Sequence, residues 1–189
     1  MISLERRDGR PLVIGHRGAA ALAPENTLAA FRAARAAGVD LIEFDVLSLR
    51  DGEPVIAHSD DLYEASHGTA SGTIGSMALA DLRRLAPDLL TLDEALAFFA
   101  DEAPEIGVHV DLKSASALEG VVRALGRFGL HERTLVSSFH HGALRRLARR
   151  EPRIRVGASF PEDRRRSTPR PTRRVRAHDV PRGDLRARA

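Results

Sequence analysis

The chain has 189 residues, which is enough for one domain with a buried core, and its formal net charge is +3. It contains no cysteine, which excludes disulfides and thiolate metal sites. No apolar stretch has the length of a membrane span or the form of a signal-peptide core. The sequence therefore predicts a soluble, cytoplasmic protein.

The elements predicted in chain order alternate between strand and helix over residues 1–160. The predicted strands are Leu12–Ile14, Leu41–Leu49, Val55–Ala57, Gly107–Lys113, Thr134–Phe139 and Ile154–Phe160, and the predicted helices are Leu28–Ala37, Leu92–Ala100, Leu118–Phe128 and Ala143–Arg150. Asn26 or Thr27 can cap the first helix, and Thr91 with Glu94 forms a capping box on the second. Residues 67–77 are predicted to form a loop.

This alternation indicates an α/β fold with five parallel strands and right-handed crossovers, because Val55–Ala57 is read as the return of a hairpin. A closed (β/α)8 barrel needs eight strands and roughly 250 residues. The predicted barrel is therefore incomplete.

Residues 161–189 differ in composition from the rest of the chain. They hold ten of the 29 basic residues but only four of the 26 acidic ones, which leaves an excess of three acidic residues in 1–160. The segment is rich in Arg, Pro and Ala and has no apolar period, so we expect a disordered tail. The acidic body gives no electrostatic reason to expect nucleic-acid binding.

Two acidic residues on the second strand, Glu43 and Asp45, are two positions apart and share one face. Asp51-Gly52 is typical of a two-residue hairpin turn. That turn would place Asp45 opposite His58 with both side chains on one face, an alignment that a slip of one residue would lose.

The strand Gly107–Lys113 also alternates, so that His109, Asp111 and Lys113 share one face. Lys113 is the only lysine among 29 basic residues. A lysine at this one position indicates a site that requires a compact ammonium group instead of a guanidinium. The alternative is that the lysine occurs there by chance. We expect His109 mainly to fill the barrel interior.

The carboxylates of Glu43, Asp45 and Asp111 would form a site of hard oxygen ligands, which suits Mg²⁺ or Ca²⁺. Such a metal can bridge phosphate oxygens and lower the pKa of a bound hydroxyl. Arg17 and Lys113 can hold the phosphate charge, the first as a fork and the second as a point charge. This set of groups points to metal-assisted cleavage of a phosphodiester.

His16 and His58 supply the candidate acid–base pair of this site, and the sequence leaves open which is acid and which is base. Taken singly, His16-Arg17-Gly18 is a common strand end, a Glu-x-Asp pair is usually a solvated face, and His58 could be structural. Their shared order, spacing and hairpin register favour the functional interpretation. The pair His140-His141 is a weaker candidate for contact with substrate.

Several segments together resemble one known family, the glycerophosphodiester phosphodiesterases. They are His16–Gly18, Pro24–Phe31, Gly38–Val46, Asp51–Val55, His58, Leu92–Leu96, Asp111–Lys113 and Ser137–Phe139. The resemblance spans roughly residues 12–160 and is highly specific in combination.

The resemblance implies a TIM barrel of the phospholipase C-like phosphodiesterase type, with a small insertion after the second strand at about 59–90. It implies metal-dependent hydrolysis of glycerophosphodiesters, within glycerophospholipid and glycerol metabolism, to sn-glycerol 3-phosphate and an alcohol. In the reaction usually proposed for the family, the glycerol 2-hydroxyl attacks phosphorus and water then opens a cyclic phosphate. His16 and His58 match the family's acid–base pair, and Glu43, Asp45 and Asp111 match its metal ligands.

Three departures from the family pattern stand out. Ser59 follows His58 where the family usually has Asp, and the third metal ligand is Asp111 where the family usually has Glu. The closing strands are absent, and the family pattern is expected to stop after Arg164.

This last departure leads us to expect a C-terminally truncated member, and a shifted reading frame is one hypothesis for the tail. An open barrel edge could pair with a second copy. Two alternatives to an active hydrolase remain: a non-catalytic remnant, and binding of anionic ligands through residues 164–189.

Overall fold

A single six-stranded sheet organises the computed structural model, which describes residue 5 and residues 9–160. Its strands are β1 Ile14–Gly15, β2 Leu41–Ser48, β3 Pro54–Ile56, β4 Gly107–Leu112, β5 Thr134–Ser138 and β6 Arg155–Ala158. The order is β1-β2-β4-β5-β6 with all neighbours parallel, and β3 pairs antiparallel with β2. The five predicted parallel strands are confirmed, whereas the predicted disorder of 161–189 concerns residues outside those described.

Six α-helices connect these strands within the described residues. They are α1 Leu28–Ala36, α2 Leu62–Ala65, α3 Leu79–Leu85, α4 Leu92–Ala97, α5 Leu118–Arg127 and α6 His141–Arg150. Thr27 rather than Asn26 caps α1, because its hydroxyl accepts the Ala30 N–H at 3.2 Å. The capping box predicted for α4 is present.

Helices α2 and α3 were not predicted, and two further departures from the predicted elements are local. Helix α4 ends at Ala97 and continues as a wide π-type turn over Phe98–Glu102. The segment predicted as a loop contains a 3-10 turn at Ile74–Ser76. It belongs to residues 59–90, whose buried side chains pack with the hairpin as a cluster separate from the main core.

Four phenylalanines fix the first helices against the sheet. Phe31 of α1 packs on Phe44 of β2 with ring centroids 5.6 Å apart, and Phe98 and Phe99 complete the cluster at 5.3–5.9 Å. All four rings are almost fully buried, and burial of each contributes about 1.5–3 kcal/mol. Because Phe44 lies between Glu43 and Asp45, this packing also fixes the strand that carries both carboxylates.

The hairpin register predicted from Asp51-Gly52 is wrong by one residue. The observed pairs include Val46 with Ile56 and Leu47 with Val55, so Asp45 lies beside Ala57, whose N–H donates to the Asp45 carbonyl. His58 therefore follows the end of β3 instead of lying opposite Asp45.

The turn itself explains the shift. The Leu49 N–H donates to the Glu53 carbonyl at 2.9 Å, which encloses three residues, and Gly52 has φ 85°. A three-residue loop with glycine in the left-handed region is the next common hairpin geometry after the two-residue turn. Both geometries accept Asp-Gly, and they differ by one position in register.

Candidate active site

Three carboxylates converge at the carboxyl ends of two neighbouring strands. Glu43 and Asp45 project from β2, and Asp111 on β4 is the register partner of Asp45. One carboxylate oxygen from each residue lies within 4.8 Å of the other two. Among the described residues, these three side chains form a group with the spacing needed to bind a metal ion. Glu43 and Asp45 are only 6% and 1% exposed, so the structure brings the predicted metal ligands together in a shielded place.

Each carboxylate of this acidic cluster is held on one oxygen by a donor from outside it. The pairs are Arg17 main-chain N–H to Glu43 Oε2 at 2.8 Å, Asn26 Nδ2 to Asp45 Oδ2 at 3.0 Å, and Ser137 Oγ to Asp111 Oδ1 at 2.8 Å. These bonds restrict how the carboxylates can rotate. They leave Asp45 Oδ1 and Asp111 Oδ2 directed toward the same cation.

That cation is the ammonium of Lys113, which bridges the two aspartates. Its Nζ lies 2.5 Å from Asp111 Oδ2 and 2.9 Å from Asp45 Oδ1. Burial lowers the pKa of Lys113, but the hydrogen bond to Asp111 and the charges of both carboxylates outweigh it, so the net pKa is raised. The single lysine of the chain is therefore held charged inside the site.

Glu43 shows how strongly the cluster concentrates negative charge. Burial and then the charge of Asp45 raise the pKa of Glu43 to about 7, although the Arg17 N–H opposes this. The raised pKa of Glu43 therefore reflects its burial first and the charge of the neighbouring carboxylates second.

The donor set fits a divalent metal ion. All three side chains offer hard oxygen ligands. Asp45 Oδ1 is buried, and although it lies near Lys113 Nζ it has no partner in hydrogen-bond geometry. A buried carboxylate oxygen that has only an ion-pair contact, next to a glutamate of raised pKa, is an environment that a bound cation would stabilise.

Arg17 reaches the cluster because the chain turns sharply after β1. Arg17 has φ 53° and Gly18 has φ 83°, and a Cβ on Gly18 would lie 2.7 Å from the Ala30 backbone, so only glycine fits there. The guanidinium donates to Glu25 Oε1 at 2.6 Å, and its Nε lies 3.0 Å from Asp45 Oδ2. The contact with Asp45 is an ion pair that lacks hydrogen-bond geometry, and it holds the mostly buried guanidinium against the acidic cluster.

His16 stands at the mouth of the acidic cluster. Its Nε2 lies 4.0 Å from Glu43 Oε2, and the side chain is 73% exposed. An exposed imidazole next to a buried carboxylate can exchange protons with a ligand above the cluster.

His58 is oriented by a carboxylate that the sequence interpretation missed. Its Nδ1 contacts Glu64 Oε1 at 3.0 Å, and the Ser59 hydroxyl donates to Glu64 Oε2 at 2.7 Å. The hydrogen bond from His58 lowers the pKa of Glu64. Glu64 thus supplies the carboxylate that the family usually places directly after this histidine, while Asp60 instead accepts the Gly75 N–H.

The remaining histidines near this sheet edge play other parts. His109 is partly buried, burial lowers its pKa, and its Nε2 contacts Ser137 Oγ at 2.9 Å. The His140 ring contacts the Lys113 carbonyl at 3.0 Å, and the His141 ring contacts the Ser159 carbonyl. Neither of the last two contacts the carboxylates of the acidic cluster.

Sequence interpretation missed three polar contacts of this site: Asn26 to Asp45, Glu25 to Arg17 and Glu64 to His58. The sequence predicts Asn26 or Thr27 as the cap of α1, and Thr27 takes that position. The φ of 58° at Asn26 is a left-handed conformation that asparagine tolerates, and it turns the amide away from α1 toward β2.

The fold and the site together define a TIM-barrel-like α/β protein whose acidic site lies at the carboxyl ends of its strands, where such folds carry their active sites. Residues 16–183 match the model of the glycerophosphoryl diester phosphodiesterase family. The chain belongs to this family, as its sequence motifs indicate. The family match extends to residue 183, past Arg164.

Three similar proteins illustrate the relationship. A glycerophosphodiester phosphodiesterase from Caldanaerobacter subterraneus subsp. tengcongensis is 29% identical over 80% of this chain and 67% of its own length. The structure of an Oleispira antarctica phosphodiesterase in complex with the product sn-glycerol-3-phosphate has a TM-score of 0.67 at 29% identity, covering 79% of this chain and 66% of that one. A glycerophosphodiester phosphodiesterase from Thermotoga maritima has a TM-score of 0.67 at 26% identity, covering 80% and 63%.

The chain spans about two thirds of the length of these relatives. Among the described residues, no helix combines the length and apolar character required to cross a membrane.

Proposed function

We propose that this protein hydrolyses glycerophosphodiesters to sn-glycerol 3-phosphate and an alcohol, with a divalent metal ion as cofactor. The observation that carries the proposal is the convergence of Glu43, Asp45 and Asp111 within 4.8 Å, with Arg17 and Lys113 in contact with the same carboxylates. Carboxylates for a metal and cations for a phosphate at one strand edge suit phosphodiester cleavage. Family membership supports the choice of substrate class.

Glu43, Asp45 and Asp111 would hold Mg²⁺ or Ca²⁺, both of which prefer oxygen ligands. Such an ion, when bound, neutralises phosphate charge and lowers the pKa of a hydroxyl bound to it. The donors that hold the outer oxygens of the carboxylates keep the inner oxygens turned toward the centre of the cluster.

Arg17 and Lys113 are proposed to bind the phosphate. The guanidinium of Arg17 lies 3.0 Å from Asp45 Oδ2, which places its charge beside the acidic cluster. Lys113 contributes a compact charge beside Asp111. Both cations are anchored by carboxylates, so they are already oriented before substrate binds.

His16 and His58 are proposed to move the protons. One takes the proton of the glycerol 2-hydroxyl as it attacks phosphorus, and the other gives a proton to the departing alcohol. In the second step the roles reverse, and water opens the cyclic phosphate. Glu64, in contact with Nδ1 of His58, would fix the ring so that Nε2 faces the substrate. Which histidine is the base in the first step and which is the acid stays open.

The product found with the Oleispira antarctica relative, sn-glycerol-3-phosphate, supports a glycerol-bearing substrate such as glycerophosphocholine. A role in glycerophospholipid metabolism follows from this substrate class, and a cytoplasmic location is also part of the proposal. The alcohol group is left open.

Product analysis of glycerophosphocholine cleavage by the full chain tests the proposal. We expect glycerol 3-phosphate and choline, with kcat lowered about 100-fold or more in His16→Ala and in His58→Ala. His131→Ala is the matched control, since that ring contacts Arg153 away from the acidic cluster. Phosphocholine as the product, or full activity in both histidine variants, would overturn the mechanism.

The product assay and a ligand-binding measurement separate the two alternatives to an active hydrolase. A folded chain that releases no product would support the non-catalytic remnant. Anionic ligand binding that disappears on deletion of residues 164–189 would support a binding role for the tail.

A further inference from the structure

Ser137 stands between a buried histidine and a proposed metal ligand. It is the register partner of Asp111 on the neighbouring strand β5. Its Oγ lies 2.8 Å from Asp111 Oδ1 and 2.9 Å from His109 Nε2. One hydroxyl therefore links two ionisable side chains on β4.

The single proton of this hydroxyl fixes the direction of both bonds. An ionised carboxylate can only accept, so Ser137 donates to Asp111 and accepts the Nε2–H of His109. His109 then carries its proton on Nε2, and its buried Nδ1 is left as an acceptor without a partner. The one proton of the Ser137 hydroxyl is therefore committed to Asp111.

The geometry points to Ser137 as a positioning residue that orients Asp111 toward the metal, an inference that rests on the proposed function. Ser137 occupies Oδ1, so Oδ2 is the oxygen that faces Lys113 and the acidic cluster. Aspartate is one methylene shorter than the glutamate usual in the family, so the direction of its one inward oxygen matters more. Hydrogen bonds to metal-binding carboxylates typically change metal affinity 10- to 100-fold when removed.

The next residue on the same strand provides a matched control. Ser138 points to the opposite face, is fully buried and donates to the Leu112 carbonyl at 2.6 Å. It makes an equally good hydrogen bond to β4 but does not touch the acidic cluster. Ser137→Ala and Ser138→Ala thus remove the same atom from adjacent positions with different expected consequences.

Mn²⁺ titration of the full chain, followed by electron paramagnetic resonance, measures metal affinity without requiring turnover. We expect Ser137→Ala to weaken Mn²⁺ binding about 10- to 100-fold, and Ser137→Thr, which keeps the hydroxyl, to restore most of it. Ser138→Ala should bind Mn²⁺ as the wild type does while unfolding at lower denaturant.

Two results would overturn the role of Ser137: unchanged Mn²⁺ affinity in Ser137→Ala, or an equal loss in Ser138→Ala. Failure of the wild type itself to bind Mn²⁺ would instead contradict the metal centre of the proposed function, and the role of Ser137 would fall with it.

Discussion

Glu43→Gln should stabilise the metal-free protein at alkaline pH while abolishing its proposed activity. Glu43 is 6% exposed and lies beside two other carboxylates, and its pKa in the folded chain is about 7 against an ordinary value of 4.5. Ionisation of this side chain is therefore less favourable in the folded state than in the unfolded state. Glutamine removes the charge and keeps an oxygen that can accept the Arg17 N–H.

The magnitude follows from linkage between protonation and folding. Raising the pKa from 4.5 in the unfolded state to about 7 in the folded state lowers the free energy of unfolding by about 3 kcal/mol once Glu43 is ionised in both states. The cost is absent below about pH 4.5, grows as pH rises, and is complete above pH 7. For a chain of this size the variant should melt roughly 6–12 °C higher at alkaline pH.

Urea unfolding in EDTA, followed by circular dichroism at pH 5 and pH 8.5, measures the effect. We expect Glu43→Gln to gain stability over the wild type mainly at pH 8.5. Glu119→Gln is the control, because it removes an exposed carboxylate whose ion pair with Arg150 contributes little. A gain that is equal at both pH values, or a loss at pH 8.5, would refute the electrostatic reasoning.

Three further substitutions have defined outcomes. Lys113→Met should lower the free energy of unfolding in EDTA by about 1–3 kcal/mol, because two carboxylates lose their cation. Urea titration measures this loss, and unchanged stability would contradict the Lys113 bridge. Glu64→Gln should lower kcat for glycerophosphocholine up to about 100-fold with little change in KM, because His58 loses the carboxylate that orients it. A change in KM alone would argue against Glu64 as the group that orients His58. Asn26→Gly should weaken Mn²⁺ binding without backbone strain, since glycine accepts φ 58°; wild-type affinity would show that the amide does not hold Asp45.

The alternation of strand and helix was predictable because apolar runs and capping residues act locally. Thr91 and Glu94 form their capping box as expected, and the carboxylates on β2 and β4 meet because parallel strands end at one edge. Alternation along each strand was enough to place Glu43, Asp45 and Asp111 on a common face.

The hairpin register was not predictable from the same local signals. Asp51-Gly52 fits both a two-residue and a three-residue loop. In the observed register, which belongs to the three-residue loop, Val55 and Ala57 pack with residues of the 59–90 segment. The contact of Glu64 with His58 depends on the fold of that segment, which no periodicity in the sequence reveals. The role of Asn26 likewise depends on a left-handed backbone angle rather than on a sequence period.

Release of glycerol 3-phosphate from glycerophosphocholine, measured in Mg²⁺, in Ca²⁺ and in EDTA, tests the central claim most directly. The comparison is between the full chain, Asp45→Asn and the control Asp93→Asn, whose partly exposed side chain pairs with Arg127 and not with the acidic cluster. The account predicts turnover that requires metal, is lost in Asp45→Asn and is retained in Asp93→Asn. Turnover that persists in EDTA, or that survives in Asp45→Asn, would contradict a metal centre built on these three carboxylates.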